Sequence, residues 1–225
     1  MSVPVLLSWS GGKDATMALE RLRADPRRRV AGLLTTVTAD GDRVGGHGVR
    51  RSVLQRQVDA LGLPLYVAEM PAGADNDTYE AAFAKALDVA RRDEPRLATV
   101  AFGDLFLADV RAYREAQLAR LGWSGLFPLW GEDTARLARH FIERGYRAIV
   151  CCVDTAQLDA AFCGREFDAT LLRDLPPGCD PCGENGEFHT CVYAGPPWAA
   201  ALPISCRSCE QAGRFAYADL DIAGS

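Results

Sequence analysis

The run Ser8-Trp9-Ser10-Gly11-Gly12-Lys13-Asp14 has the residue types of an anion-binding loop. It lies between an apolar segment, Val3–Leu7, which predicts a buried strand, and a helical repeat of Ala15, Leu19 and Leu22. Adjacent glycines let the backbone approach a ligand closely, and the free N–H groups at the start of a helix bind anions. Lys13 adds a positive charge, whereas Asp14 would repel a bare phosphate and is explained by an accompanying Mg²⁺. The run predicts a Mg²⁺–phosphate site; the alternative is a plain Gly-Gly turn with a solvated Lys–Asp pair.

Two familiar glycine motifs do not match this run. The Walker A pattern needs Gly at position 7 and Ser or Thr at position 14, where the chain has Leu7 and Asp14. The dinucleotide fingerprint G-x-G-x-x-G needs separated glycines, but Gly11 and Gly12 are adjacent. The loop therefore belongs to another class of phosphate site.

The elements that must position this loop alternate between strands and helices through residue 130. Apolar runs predict four further strands: Val30–Thr36, Leu65–Glu69, Thr99–Phe102 and Leu126–Leu129. Helical spacing between them predicts an α/β domain with a five-stranded parallel sheet between two layers of helices. Beyond that point a helix over Thr134–Arg144, a strand over Tyr146–Val153 and a Gly/Pro-rich segment follow. We expect residues 131–225 to form a smaller α+β domain after an N-terminal domain of residues 1–130.

Polar residues follow several of the predicted strands. Ligands of open parallel sheets bind beyond the carboxyl ends of the strands, so these residues are candidates for one site with Ser8–Asp14. Capping and strand termination are the alternatives for Asp104 and for the threonine pair. The candidates are Thr35 and Thr36 after the second strand, Gly103 and Asp104 after the fourth, and Trp130-Gly131-Glu132 after the fifth.

Histidine and cysteine supply the other candidate ligands. His47 lies in Gly45-Gly46-His47-Gly48, where it could meet a phosphate or a substrate carboxylate, or be a solvated loop histidine. Two C-x-x-C pairs, Cys179 with Cys182 and Cys206 with Cys209, could together hold a structural Zn²⁺. A redox or sulfur-carrying pair is the alternative.

Composition excludes several classes of protein. Of 225 residues, 48% are hydrophobic and 24% are charged, which is typical of globular chains and not of disordered ones. The net charge of −5 argues against a dedicated nucleic-acid binder. No apolar run approaches the ~18 residues of a membrane helix, and no export leader is visible. We therefore expect a cytoplasmic protein with reduced thiols and no membrane partner.

Several motifs in order along the chain resemble one family. Ser10-Gly11-Gly12-Lys13-Asp14 resembles the SGGxDS pyrophosphate loop of the N-type ATP pyrophosphatases. The chain is more specifically similar to the diphthine–ammonia ligases, through the segments Phe102–Leu107, Phe127–Gly131 and Asp180–Thr190. The departure is Ala15, where Ser is usual, which removes one hydroxyl and with it about 0.5–1.5 kcal/mol of hydrogen bonding.

The resemblance implies a HUP-type, Rossmann-like fold and an ATP-dependent amide ligase with Mg²⁺. A substrate carboxylate would be adenylated with release of pyrophosphate, and ammonia would then displace AMP. The implied nucleotide-binding residues are Ser8, Ser10, Gly11, Gly12, Lys13, Asp14, Thr35, Thr36, Gly103 and Asp104, with Asp14 holding Mg²⁺. The implied catalytic residues are Lys13, Asp14, Asp104, Glu184 and Glu187. The implied substrate-binding residues are His47, Glu184, Asn185, Gly186, Glu187, His189 and Thr190.

The acceptor and two other functions stay open at this point. The acceptor is diphthine-like if the source is archaeal or eukaryotic, and another carboxylate if the source is bacterial. An adenylating tRNA sulfur transferase with a C-x-x-C cysteine is one alternative, and a non-catalytic ATP- or AMP-binding regulator is the other. The resemblance is also compatible with a homodimer.

Overall fold

The computed structural model describes residues 2–38, 43–71 and 73–223. Within these ranges, the first part of the chain forms a six-stranded sheet with four helices. The strands are β1 (Val3–Ser8), β2 (Arg28–Thr38), β3 (Arg43–Val44), β4 (Leu65–Met70), β5 (Thr99–Ala101) and β6 (Ser124–Leu126). The helices are α1 (Lys13–Ala24), α2 (Arg51–Leu61), α3 (Asn76–Asp93) and α4 (Ala108–Arg120).

Five of these strands form the predicted parallel sheet, in the order β4-β2-β1-β5-β6. The short β3 adds to the end of β2 in antiparallel direction. Alternate residues of β1 face opposite layers of helices, as a strand with two buried faces requires. Leu7 packs in the cluster that contains Leu19 and Leu54, whereas Leu6 packs with Phe83 and Leu118. The sheet therefore lies between α1 and α2 on one face and α3 and α4 on the other, as the sequence predicts.

The second part is a four-stranded antiparallel sheet in the order β8-β7-β10-β9. It follows α5, and a 3₁₀ turn at Ala160–Phe162 and a short helix α6 lie between its first two strands. The bounds are α5 (Thr134–Glu143), β7 (Arg147–Asp154), α6 (Ala169–Asp174), β8 (Phe188–Ala194), β9 (Ile204–Ala212) and β10 (Phe215–Ile222). This is the expected α+β part, but neither α6 nor the β9–β10 hairpin is predicted from the sequence.

Both sheets share a hydrophobic core. Leu19 on α1 lies in the same buried cluster as Phe141 on α5, Phe188 on β8 and Leu220 on β10. A boundary near Gly131 therefore separates two sheets without separating two cores, and the division into two domains stays a prediction.

One strand is displaced from its expected bounds. The fifth parallel strand is Ser124–Leu126 rather than Leu126–Leu129, and Leu129 is buried in the turn that follows. Helix α3 is capped by Asp75, whose side chain accepts a hydrogen bond from the N–H of Thr78 at 2.9 Å. No helix in the described ranges combines the length and apolar character needed to cross a bilayer.

Candidate active site

A cavity of about 240 Å³ opens at the carboxyl ends of β1 and β5. Three segments surround it: the loop from β1 to α1, the segment after β5, and the loop that leads into β8. Its wall includes Ser8, Ser10, Gly12, Asp14, Ala15, His47, Gly103, Asp104, Arg114, Cys182, Gly183, Glu184, His189 and Thr190. The structure thus brings together most of the residues that the sequence and the resemblance single out.

The glycine loop is fixed by hydrogen bonds to β8. Gly11 has a φ of 77°, which a residue with a side chain rarely adopts. Its carbonyl accepts the N–H of Val192 on β8 and the Nε2 of Gln57 on α2, each at 2.9 Å. A side chain at Gly11 would also collide with the Gln57 amide. The first sheet therefore supplies the loop, and the second sheet holds its shape.

Gln57 is a site residue that the sequence pattern did not single out. It is fully buried, and its Nε2 also donates to the carbonyl of Val192 at 2.6 Å. The signal was present in the helical pattern: Leu54, Gln57, Val58 and Leu61 share one face of α2, so a polar residue interrupts an apolar stripe.

Lys13 is buried and does not line the cavity. Its Nζ contacts the Asp14 carboxylate and lies 5.7 Å from the centre of the Phe167 ring. Burial lowers the pKa of Lys13, but Asp14 and the neighbouring Cys182 outweigh it, so the net pKa lies above its ordinary value. Lys13 thus stays positively charged and contacts Asp14 in the cavity wall. Its own side chain does not enter the cavity, where the sequence predicts it.

The backbone N–H groups at the start of α1 are bonded to hydroxyls of the cavity wall, that of Gly12 to Oγ of Ser10 at 3.3 Å. One of them, the N–H of Lys13, donates to Oγ1 of Thr190 at 3.0 Å. Gly103 lies against this turn, and a Cβ there would sit 2.8 Å from the carbonyl carbon of Asp14. The loops that follow β1 and β5 therefore lie so close that no side chain fits between their backbones. Thr190 of the second sheet is bonded to the first of these loops.

Asp14 and Asp104 are two of the acidic residues in the cavity wall. Asp104 forms an ion pair with Arg114, with 2.8 Å between Oδ2 and Nε. Burial raises the pKa of Asp104, Arg114 opposes this, and the charge of Asp14 raises it further. A divalent cation would relieve this repulsion. The donor set fits Mg²⁺, which proteins commonly bind through one or two carboxylates and substrate phosphates.

Glu184 joins the two sheets at the cavity. Its Oε1 accepts the N–H groups of Leu105 at 2.7 Å and Phe106 at 3.3 Å, both on the segment after β5. Burial raises the pKa of Glu184 to about 7, against the opposing effect of the Leu105 hydrogen bond. A carboxyl group with this pKa can exchange a proton near neutral pH.

Glu187 and Asn185 hold the loop rather than line the cavity. Oε1 of Glu187 accepts the N–H of Asp180 at 2.8 Å and Nδ2 of Asn185 at 3.0 Å. Gly186, with a φ of 85°, makes the turn between them. These three residues lie outside the cavity wall, and their catalytic or substrate-binding roles stay predictions.

His47 and His189 form a neutral pair in the wall. Their ring centres are 4.3 Å apart. Burial lowers the pKa of both rings, and their proximity lowers that of His47 further. Nδ1 of His47 is buried and has no hydrogen-bond partner among the described residues. Its position in the cavity wall agrees with a ligand role.

Three of the predicted polar groups lie outside this wall. Thr35 is buried at the end of β2 with its hydroxyl unpartnered in the described part of the chain, and Thr36 faces Gly45. Glu132 forms an ion pair with Arg21 at 3.1 Å, away from the cavity. The site is thus formed at the carboxyl edge of β1 and β5, and Thr35, Thr36 and Glu132 do not belong to its wall.

The expected zinc site on Cys179, Cys182, Cys206 and Cys209 is not formed. Cys182 lies beside Lys13 with its thiol 3.3 Å from the carbonyl oxygen of Thr134, whereas Cys206 and Cys209 lie on the β9 strand. No group of three or more His, Cys, Asp or Glu side chains in residues 2–38, 43–71 and 73–223 is arranged to hold a metal ion. All eight cysteines are free thiols.

Comparisons with known proteins agree with this arrangement. Residues 133–221 match the family model described as the diphthamide synthase C-terminal domain. A stretch of 98 residues is 36% identical to the tRNA(Ile)-lysidine synthase of Xanthomonas axonopodis pv. citri (strain 306), covering 37% of this chain and 21% of that protein. The chain thus spans about a fifth of the length of this relative.

Together with the glycine loop at the end of β1, the two matches indicate a similarity to the PP-loop ATP pyrophosphatase superfamily. Within that class, the part of the chain with the second sheet is similar to the C-terminal domain of diphthamide synthases.

Proposed function

We propose that the chain is an ATP-dependent ligase that adenylates a substrate carboxylate and transfers the acyl group to ammonia. ATP would yield AMP and pyrophosphate in this reaction. The observation that carries the proposal is the cavity itself, in which the glycine loop, Asp104 and the Glu184 loop meet. Loops from both sheets contribute, as a reaction that joins a nucleotide to an acceptor requires.

The first half of the reaction is assigned to the parallel sheet. The backbone N–H groups of Gly12 and Lys13 and the positive end of α1 would hold phosphate oxygens. Asp14 and Asp104 would hold Mg²⁺, which supplies neutralisation of phosphate charge. The cavity is smaller than the 300–1,000 Å³ common for sites of this kind. Because the Lys13 N–H already donates to Oγ1 of Thr190, a phosphate oxygen would have to displace that hydroxyl to bind there.

The second half is assigned to Glu184. With a pKa of about 7 it is partly ionised at neutral pH and can accept a proton from an ammonium ion. The resulting ammonia attacks the carbonyl carbon of the acyl adenylate, the C–N bond forms, and AMP leaves with the electrons of the broken C–O bond. The nitrogen then releases one further proton to solvent, which gives the amide. The neutral pair His47 and His189 would line the path without repelling the ammonium ion.

A nucleotide product assay tests this function. The protein is incubated with ATP, Mg²⁺, ammonium and fractionated cell extract, and AMP is separated from ADP. We expect AMP and pyrophosphate that depend on one fraction, and a loss of about 100-fold or more in Asp14→Asn. Asp109→Asn is the matched control, because Asp109 lies in the first turn of α4 and is exposed.

Two results would contradict the proposal. Formation of ADP would mean that the loop positions the β–γ bond rather than the α–β bond for cleavage. Undiminished turnover in Asp14→Asn, with Asp109→Asn also unchanged, would remove the metal role of Asp14.

An adenylating enzyme that acts on tRNA is the second candidate, favoured by the similarity to tRNA(Ile)-lysidine synthase. The arginines after α1 do not offer a free basic patch: Arg27 pairs with Asp25, and Arg29 with Glu94. For a sulfur-transfer version, Cys182 lines the cavity, but burial raises the pKa of its thiol to about 12. Co-purification of tRNA that salt reverses would favour this candidate over the first.

A cytoplasmic location, expected from the sequence, and a homodimer, with which the resemblance is compatible, remain predictions. Size-exclusion chromatography with light scattering tests the homodimer. A regulator without catalysis would bind ATP and form no product with any fraction, and Ala15 in the cavity wall is the feature that favours it.

A further inference from the structure

Cys206 and Cys209 lie on the same face of the β9–β10 hairpin. Residues three apart on a regular strand point to opposite faces, because the side-chain period is two. Here Cys206 pairs with Leu220 and Cys209 with Ala218, and the register shifts between them, so Arg207 is an extra residue in β9. Leu220 and Ala218 share a face of β10, and therefore the two cysteines do as well.

A third thiol lies next to this pair. The two sulfurs converge on Gly164, where a Cβ would sit 2.7 Å from Sγ of Cys209 and 3.3 Å from Sγ of Cys206. The preceding residue, Cys163, is buried; burial raises the pKa of its thiol, and the neighbouring Cys209 raises it further. Glycine at position 164 thus leaves the space that the thiols face.

The separation of the sulfurs distinguishes two kinds of thiol chemistry. Sγ of Cys206 and Sγ of Cys209 are 3.9 Å apart. A disulfide needs about 2.05 Å, whereas two thiolates on one tetrahedral Zn²⁺, with Zn–S of about 2.3 Å, lie about 3.8 Å apart. The observed spacing therefore fits two ligands of one cation without movement of the backbone.

We propose that Cys206 and Cys209, with Cys163 as third ligand, bind a thiophilic divalent cation of the Zn²⁺ class. In the structure Cys206 and Cys209 form a pair with Cys163 beside it, and the three thiols are not yet arranged to hold a metal ion. Binding would therefore move Cys163 toward the pair. The cation would fasten the exposed hairpin to the turn after Ala160–Phe162. The site is independent of the ligase activity and replaces the Cys179 and Cys182 ligands expected from the sequence spacing.

A Cd²⁺ titration with Zn²⁺ competition tests the proposal on the full chain, reduced and freed of metal. We expect one equivalent per chain, seen as thiolate-to-cadmium absorption in the ultraviolet, and a thermal midpoint that rises with Zn²⁺. Cys206→Ser and Cys209→Ser should lose the binding, and Cys163→Ser should weaken it by about tenfold or more. Cys179→Ser should bind as the unmodified chain does.

Gly164→Ala removes the space without removing a thiol, and we expect it to lose the binding. Gly213→Ala is its control, because Gly213 lies in the hairpin turn at a φ of 63° with no atom near an added Cβ. Both variants share the strain of a positive φ, so a difference between them reports on the space beside the sulfurs. Three results would overturn the proposal: no binding at one equivalent, binding that needs Cys179, or a Cys206–Cys209 disulfide in place of bound cation in protein purified without reductant.

Discussion

Glu184 shows how a single residue takes its chemistry from its surroundings. The sequence places it in a polar loop, where a carboxylate would keep its ordinary pKa. In the structure it lies under the segment after β5, bound by two backbone N–H groups, and burial raises its pKa to about 7. Packing between the two sheets thus sets the pKa at which Glu184 can take up the proton that the proposed reaction moves.

The raised pKa predicts a pH-dependent stability. A carboxyl group with a folded pKa above its ordinary 4.5 contributes most below pH 4.5, and this contribution is lost as pH rises through 7. The free energy of unfolding should therefore fall, relative to Glu184→Gln, by about 1–2 kcal/mol between pH 4.5 and 8, after allowance for solvent screening. Urea unfolding at a series of pH values measures this.

Glu143→Gln, at an exposed carboxylate on α5, is the control for Glu184→Gln. It should follow the unmodified chain at every pH. Parallel curves for Glu184→Gln and the unmodified chain would show that Glu184 titrates as an ordinary carboxylate in the folded protein.

Residue types and order predict which residues meet at the site, but not how each acts. The loop Ser8–Asp14, Asp104, Glu184 and His189 are brought together as expected. Lys13 is not directed at the cavity, because its side chain packs beneath α1 beside Asp14 and Phe167. A local sequence motif predicts neither that a lysine is buried nor which way its side chain points from the helix.

At the scale of elements, the glycine loop depends on α2 and β8. The carbonyl of Gly11 has two donors, Gln57 and Val192, and Gln57 also binds the carbonyl of Val192. The indole N–H of Trp198 donates in turn to the Gln57 carbonyl at 3.2 Å. The helix α2 thus links the loop to the second sheet, although it contributes no residue to the cavity wall.

Gln57→Leu tests this link. The substitution keeps a similar volume but leaves the Val192 carbonyl without its side-chain donor, which should cost about 1–3 kcal/mol of stability. We also expect a higher KM for ATP, because the loop loses one of the two bonds that fix Gly11. Denaturant unfolding and steady-state kinetics measure the two effects.

Gln55→Leu is the control on the same helix, since Gln55 is exposed and bonds to Asp59 on the surface. We expect a change within about 0.5 kcal/mol and an unchanged KM. Equal effects of the two substitutions would mean that the buried amide does not position the loop.

At the scale of the molecule, one core extends from the parallel sheet into the antiparallel one. The buried Trp9 lies beside β1 and the buried Trp198 follows β8, so fluorescence reports on both sheets. The unfolding transitions followed by fluorescence and by circular dichroism should therefore coincide.

A fragment of residues 1–130 should not fold cooperatively. It would expose the face of α1 that packs with Phe141 and Phe188, and we expect it to bind a hydrophobic dye and to unfold without a sharp transition. A cooperative transition in this fragment would show that the first sheet is an independent domain.

The parallel sheet was predictable from the sequence, because strands buried on both faces are continuous apolar runs between helical repeats. The β9–β10 hairpin was not, because most of β9 is exposed on both faces and shows no alternation. The hairpin joins its sheet through the pairing of β10 with β7, which lies far away in sequence.

The two hydrogen bonds to the Gly11 carbonyl also limit which chimeras of related chains can keep the shape of the glycine loop. The two donors lie 46 and 181 positions away along the chain, so the loop at the N-terminus is shaped partly by residues that follow residue 130. A chimera that exchanges the C-terminal half between relatives would pair one parent's loop with the other parent's β8. Such exchanges should retain nucleotide affinity where the side chain at position 57 is transferred together with β8, and lose it where the two are inherited separately.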